Sequence, residues 1–207
     1  MERKRGQLVM WAVMLSVLTL VGARAQSPGT YGIGDVIKDF RLKNVDDRQV
    51  SLQDYRTQKG VIVVFTSNHC PFAKSYEDRI QSVNQRYGGQ GYPVVAIQSN
   101  DPAAYEDDSF DNMKARSRER SYSFPYLFDE TQQVARLFGV TKTPQVYVLK
   151  QTGGQFTLQY TGAIDDNPQD ANSVRVRYLE DALTSLIAGK AVINPVTRPI
   201  GCAIKWK

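Results

Sequence analysis

The 207-residue sequence predicts an α/β protein with a mixed central sheet and helices on both of its faces. Three observations carry this. Val61, Ile62, Val63, Val64 and Phe65 form a continuous apolar run rich in β-branched residues, the signature of a strand covered on both sides. Phe72, Tyr76, Ile80, Val83 and Tyr87 then recur at helical spacing behind Pro71, a residue suited to the first position of a helix because its missing N–H has no partner to lose there. Further along, strands alternate with helices and end in a hairpin, so parallel strands are followed by an antiparallel pair.

Each element has a local reason. Asp39–Lys43 and Gln49–Leu52 read as two short strands, with Asn44, Val45, Asp46 and Asp47 as the turn between them. Gln53 to Gly60 is a polar connection into the central strand. The helix from Pro71 to Tyr87 stops at Gly88, Gly89 and Gly91, and Tyr92 to Ser99 is a second buried strand. Asn100 to Asp108 is a loop. Ser109 to about Arg120 is a helix with Phe110 and Met113 inward and Arg116, Arg118 and Arg120 on a solvated face. Tyr126 to Phe128 is a short strand. Asp129 to Phe138 is a helix with acids first, with Val134, Leu137 and Phe138 inward and Gly139 as its stop. Gln145 to Leu149 and Gln155 to Tyr160 form a hairpin about Thr152, Gly153 and Gly154. Gly162 to Gln169 is a polar loop. Ser173 to Ala188 is a helix with Val174, Tyr178, Leu179, Ala182, Leu183, Leu186 and Ile187 on one face.

Residues 1–25 read as a secretory signal peptide. Arg3, Lys4 and Arg5 precede an apolar stretch from Leu8 to Val21, and Ala23 and Ala25 place small residues where cleavage needs them. The alternative is an uncleaved anchor, but the apolar stretch is short of the roughly 20 residues that span a bilayer. The expected organisation is one domain over residues 26–207, exported to a periplasm or beyond the cell, with a C-terminal tail over 190–207. Four basic residues and one acid lie in residues 1–25, so the net charge of +5 falls to +2 after cleavage. That charge, without an aromatic-interleaved basic run, gives no reason to expect a nucleic-acid partner. Cleavage also leaves no stable membrane insertion. Both cysteines, Cys70 and Cys202, lie in the exported part, where a disulfide is permitted. Two cysteines and one histidine are too few for a structural zinc site, and no metal or organic cofactor is expected.

Chemistry concentrates at FTSNHCPFAK. Cys70 stands between a polar loop and the helix that Pro71 opens, so it falls at a helix N-terminus. First-turn N–H groups and the helix dipole favour an anion there, and hence thiolate over thiol. An inert buried cysteine is the plain alternative.

The chain here resembles the thioredoxin-like superfamily, in particular its redoxin branch of peroxiredoxin-like, AhpC/TSA-type proteins. The strand–loop–Cys70–Pro71–helix carries the resemblance, with Thr143 and Pro144 just before the strand QVYVL, the N-terminal hairpin, and the closing GCAIKW, which is similar to the GC-x-IKW end of a peroxiredoxin-like subgroup. It covers roughly Tyr31 to Lys207 and implies a thioredoxin-like three-layer α/β/α fold with an N-terminal β-hairpin. There are departures. Ala73 stands where thioredoxins have the second cysteine of Cys-x-x-Cys. Val63 replaces the proline of the peroxiredoxin motif, although Ser67 matches its hydroxyl position. Lys142 stands where related sequences often have a cysteine.

The resemblance implies that Cys70 is a nucleophile toward a disulfide sulfur or a peroxide oxygen. Cys202 then either resolves it, or forms a permanent bridge, or stays a free thiol. Ser67 is expected to donate to a thiolate or a bound peroxide. His69 either tunes Cys70 or is an ordinary loop residue. Lys74 either faces the thiolate or pairs with Asp78. Pro144, cis in the family, implies that the Thr143 backbone and Pro71 border a substrate. Asn68 is expected to cap the helix, and Asp165 and Asp166 are either site-flanking or solvated loop acids. The expected function is that of an exported thiol-disulfide oxidoreductase acting on a thiol or disulfide protein, with its reductant unknown. The alternatives are a thiol peroxidase acting on small hydroperoxides, and a non-catalytic module that binds a partner or a soft metal.

Overall fold

Every residue of the central apolar run is buried, from Gly60 to Thr66, and this strand organises the sheet. A computed structural model of the protein describes residues 29–207; the signal peptide expected over residues 1–25 lies outside them. In chain order the elements are β1 (Val36–Ile37), β2 (Arg41–Asn44), β3 (Gln49–Ser51), β4 (Gly60–Thr66), α1 (Pro71–Tyr87), β5 (Val94–Gln98), α2 (Phe110–Glu119), β6 (Tyr126–Phe128), α3 (Gln133–Phe138), β7 (Lys142–Thr143), β8 (Gln145–Thr152), β9 (Gln155–Gly162), α4 (Tyr178–Ile187) and β10 (Cys202–Ala203). Eight strands form one sheet in the order β1-β9-β8-β4-β5-β6-β2-β3, and β7 pairs separately with β10. β4, β5 and β6 are parallel neighbours, whereas β8 runs antiparallel to β4 and β9 runs antiparallel to β8.

Strand alternation sends the side chains to two cores. Ile62 and Val64 of β4 face one side with Val94, Ala96, Val146 and Val148, beneath Tyr76, Ile80 and Val83 of α1 and Leu179, Leu183 and Leu186 of α4. Val61, Val63 and Phe65 face the other side with Val95, Ile97, Tyr147 and Leu149, covered by Val134, Ala135 and Phe138 of α3. This is the expected three-layer α/β/α arrangement with a mixed sheet. The hairpin β2–β3 is also present, with Leu42 opposite Val50.

Several element details differ from the sequence reading. α3 begins at Gln133, not Asp129. Asp129 lies outside it, fully buried, and its carboxylate accepts the N–H groups of Val134 and Ala135 at 3.4 and 2.9 Å. Burial pushes the Asp129 pKa up despite these bonds. Leu137 then faces solvent, because the shorter helix needs only Val134, Ala135 and Phe138 to cover the sheet. α4 begins at Tyr178, so Val174 is not on its buried face. Residues before Tyr178 are held extended by Asp166, whose N–H donates to the Val176 carbonyl and whose carboxylate accepts the Arg175 N–H.

Arg118 of α2 is exposed as expected, but Arg116 is less solvated. Arg116 donates from Nε and Nη2 to both oxygens of Glu77 on α1, at 2.9 and 2.7 Å, and Tyr122 adds a bond to the same carboxylate at 2.9 Å. Glu77 is only 5% exposed. This pair joins α1 to α2, and so fixes the loop that precedes α2. Glu77→Ala is expected to destabilise the protein by about 1–3 kcal/mol, since Arg116 keeps some access to water while Tyr122 loses its acceptor. Urea denaturation with an unchanged m-value is the check.

Candidate active site

The site forms where three chain segments meet: the N-terminus of α1, the β7–Pro144 turn and the C-terminal tail. Cys70 is the N-cap residue of α1 and has extended backbone (φ −72°, ψ 120°), with Pro71 at the next position and no side-chain oxygen capping the first turn. The sulfur is therefore the group at the positive end of a 17-residue helix. Cys70 has no exposed surface.

Cys202 reaches it from the tail. Cys202 pairs with Thr143 and Ala203 with Lys142 in the β7–β10 ladder. This register brings the two cysteine Cα atoms to 6.0 Å, and the two sulfurs are bonded as a disulfide that spans 132 positions. Cys202 is partly exposed. The Thr143–Pro144 peptide bond is cis, and the Thr143 carbonyl oxygen lies 3.2 Å from the Cys70 sulfur. In a reduced Cys70, the thiol can donate to that oxygen. Gly201 makes the approach possible: a Cβ there would fall 2.1 Å from the Thr143 carbonyl oxygen.

Beneath the polar loop lies Asp108, which is wholly buried and was not singled out by sequence. One carboxylate oxygen accepts the backbone N–H of Asn68 at 2.6 Å and that of His69 at 3.4 Å. The other accepts the Ser67 hydroxyl at 3.3 Å and is bonded to His69 Nδ1. Ser67 Oγ also lies 2.9 Å from His69 Nδ1 and accepts the Cys70 N–H at 3.2 Å. The Ser67 hydroxyl is thus engaged by Asp108, with its oxygen bracing the Cys70 backbone. A carboxylate only accepts, so the tautomer that suits the Asp108 contact carries its proton on Nδ1 and has Nε2 as an acceptor. The His69 ring stacks on Tyr105, with centroids 3.9 Å apart and planes within 3°.

The remaining expected residues divide between site and scaffold. Asn68 caps nothing: its amide donates to the Asp107 carbonyl and accepts from the Tyr126 hydroxyl. Lys74 lies 3.8 Å from Asp107, whereas Asp78 pairs with Arg120. Asp165 is a buried scaffold acid that accepts from Tyr76 and Arg79. Asp108 had no local signal, because its importance comes from Ser67, Asn68 and His69, some 40 positions away. Among the described residues, no cluster of three or more His, Cys, Asp or Glu side chains is placed to hold a metal ion, and no helix is long and apolar enough to cross a membrane.

Three substitutions probe this geometry. Asp108→Asn is expected to cost about 1–3 kcal/mol, because its amide turns a donor toward groups that now donate to the carboxylate. Asp107→Asn, at an exposed side chain, should stay within about 0.5 kcal/mol; paired thermal melts check both. Gly201→Ala should push the tail from Thr143 and lower the fraction of disulfide at a fixed glutathione poise. Mass spectrometry of the trapped protein reads that fraction.

Comparison with known proteins bears on the family and the fold. A conserved protein of uncharacterized function from Geobacillus kaustophilus is similar in structure, with a TM-score of 0.79 and 35% identity, covering 86% of this chain and 94% of its own. The thiol-disulfide oxidoreductase ResA of Oceanobacillus iheyensis is 26% identical over 72% of this chain and 76% of its own. Chloroplastic peroxiredoxin Q of Gentiana triflora is 24% identical over 72% of this chain and 67% of its own. The AhpC/TSA family pattern matches residues 33–164, from the N-terminal strands past the cis-proline hairpin. With that match covering most of the domain, the chain belongs to the AhpC/TSA family and is an oxidoreductase of thioredoxin-like fold.

Proposed function

We propose that the protein is an exported thiol-disulfide oxidoreductase of the redoxin type, with Cys70 as its nucleophile and Cys202 as its resolving thiol. The observation that carries this reading is the bond between them, formed at a helix N-terminus by a tail cysteine that pairs with the residue before the cis-proline. The ResA relatives, named as thiol-disulfide oxidoreductases, support it.

In the dithiol form the Cys70 thiolate attacks one sulfur of a substrate disulfide. A Cys70–substrate bond forms and one substrate thiolate leaves. The Cys202 thiolate then attacks the Cys70 sulfur, closing the Cys70–Cys202 bond and expelling the second substrate thiolate. Two electrons have passed to the substrate, and a donor dithiol must replace them: its first thiolate forms a mixed disulfide and its second resolves it, leaving the donor as a disulfide. The donor meets Cys202, the more exposed sulfur. Cys70 then leaves as the thiolate that the helix terminus stabilises. Ser67 and His69 hold the loop and offer a proton acceptor, and Thr143, Pro144 and Pro71 border the sulfur.

A second reading has one observation in its favour. The complete burial of Cys70 suits a small oxidant better than a folded partner, and peroxiredoxin Q is among the relatives. In that reading the Cys70 thiolate attacks a hydroperoxide oxygen, an alcohol or water leaves, and Cys202 condenses with the sulfenic acid to release water.

Intact mass after thiol blocking tests the proposal. The dithiol form, given one equivalent of an oxidised dithiol or of hydrogen peroxide, is expected to lose two hydrogens and both blocking groups rapidly, and to recover them with a dithiol. Faster closure by the disulfide supports the first reading, and faster closure by peroxide supports the second. A bridge that resists reduction, or thiols that stay free with both oxidants, removes both.

A further inference from the structure

The tail around Cys202 is fastened by contacts that do not involve sulfur. Upstream, the Thr161 N–H donates to the Pro195 carbonyl, the Thr197 N–H donates back to Thr161, and the Thr197 hydroxyl accepts the Ala163 N–H. Downstream, Lys205 N–H donates to Asn100 Oδ1 at 2.8 Å, and the Lys205 carbonyl accepts from the Asp101 N–H and from Gln132 Nε2 at 2.8 and 2.7 Å. Lys207 N–H donates to Gln132 Oε1 at 2.8 Å. Ile204 is buried among the apolar residues beside α3, and Trp206 lies against Arg136.

Asn100 and Gln132 are each about 1% exposed, although one comes from a loop and the other is the residue just before α3. Buried amides of this kind need partners, and here tail backbone groups supply several of them. Gln132 uses both ends of its amide on the tail and holds a left-handed backbone conformation, φ 61°. Removing the sulfur–sulfur bond leaves every one of these contacts available.

We propose that Asn100 and Gln132 are positioning residues that keep the tail docked in the dithiol form, so that Cys202 stays beside Cys70 and the pair closes at high effective concentration. The inference rests on the Cys70–Cys202 exchange reading given above and states what sets its equilibrium. In the reaction with glutathione disulfide, Cys70 and Cys202 lose two protons and an electron pair. Their S–S bond forms, the glutathione S–S bond breaks, and two glutathione thiols are released. A docked tail pays the ordering entropy in advance, which favours closure. A tail free beyond Thr197 does not.

Amide hydrogen exchange on the Cys202→Ser protein, which cannot form the bridge, reads docking directly. The Lys205 and Lys207 amides are expected to exchange at least about tenfold more slowly than in a free peptide. Exchange at the free-peptide rate overturns the inference. The companion variant is Gln132→Asn with Lys205→Pro in the full chain. Asn tolerates the left-handed backbone but is one methylene too short to bridge Lys205 and Lys207, and proline removes the N–H that Asn100 accepts. The glutathione equilibrium constant of this variant is expected to fall about tenfold or more. An unchanged constant overturns the inference even if the variant melts earlier, because lost stability alone does not shift that equilibrium. If the wild-type pair never exchanges with glutathione while both amides are protected, the exchange reading fails and the docked tail stands.

Discussion

The candidate site depends on the antiparallel pairing of Cys202 with Thr143. A disulfide needs Cα atoms within a narrow range of separation, and the ladder supplies it by attaching one cysteine to the strand that flanks the other. Three features make the pairing possible. Gly201 lets the tail approach the Thr143 carbonyl. The cis-proline turn presents that carbonyl to the Cys70 sulfur. The buried amides of Asn100 and Gln132 hold the tail on its far side.

The opposite wall of the site is built on a buried carboxyl group. Asp108 gathers bonds from the backbone and side chains of Ser67, Asn68 and His69. A carboxylate in that position fixes three consecutive residues of a loop that no regular structure holds. Its own position is set by α2, whose arginine Arg116 joins the buried Glu77 of α1. The helix that carries Cys70 and the helix behind Asp108 are thereby coupled, so the loop and the sulfur are registered to each other by a side-chain contact on the far side of α1.

The asymmetry between the two sulfurs gives the site its direction. Cys70 is enclosed and sits where a helix stabilises negative charge, while Cys202 is partly open to solvent. A leaving thiolate is best placed where it is stabilised, and an attacked sulfur where it can be reached. The two requirements fall on different residues, Cys70 and Cys202. The replacement of the fourth position by Ala73 is thus matched by a partner supplied from the other end of the chain.

Local pattern alone determined the central strands, the helix after Cys70 and the α/β class with a mixed sheet. Strand burial, helical spacing and proline placement are short-range signals, and all three are strong here. Resemblance added the cis-proline and the weight placed on Cys202. Other features were decided only by tertiary contacts. The Cys70–Cys202 pairing spans 132 positions, and two cysteines so far apart in the sequence permit a bond without requiring one. Asp108 looked like one acid among several in a loop, because a hub for hydrogen bonds is recognisable only when its donors are brought together. The starts of α3 and α4 are likewise set by long-range contacts: Asp129, lying before α3, accepts the N–H groups of Val134 and Ala135, and Asp166 holds Arg175 and Val176 outside α4. Periodicity records which residues can face a core, whereas long-range hydrogen bonds decide where each element begins and which side chains meet.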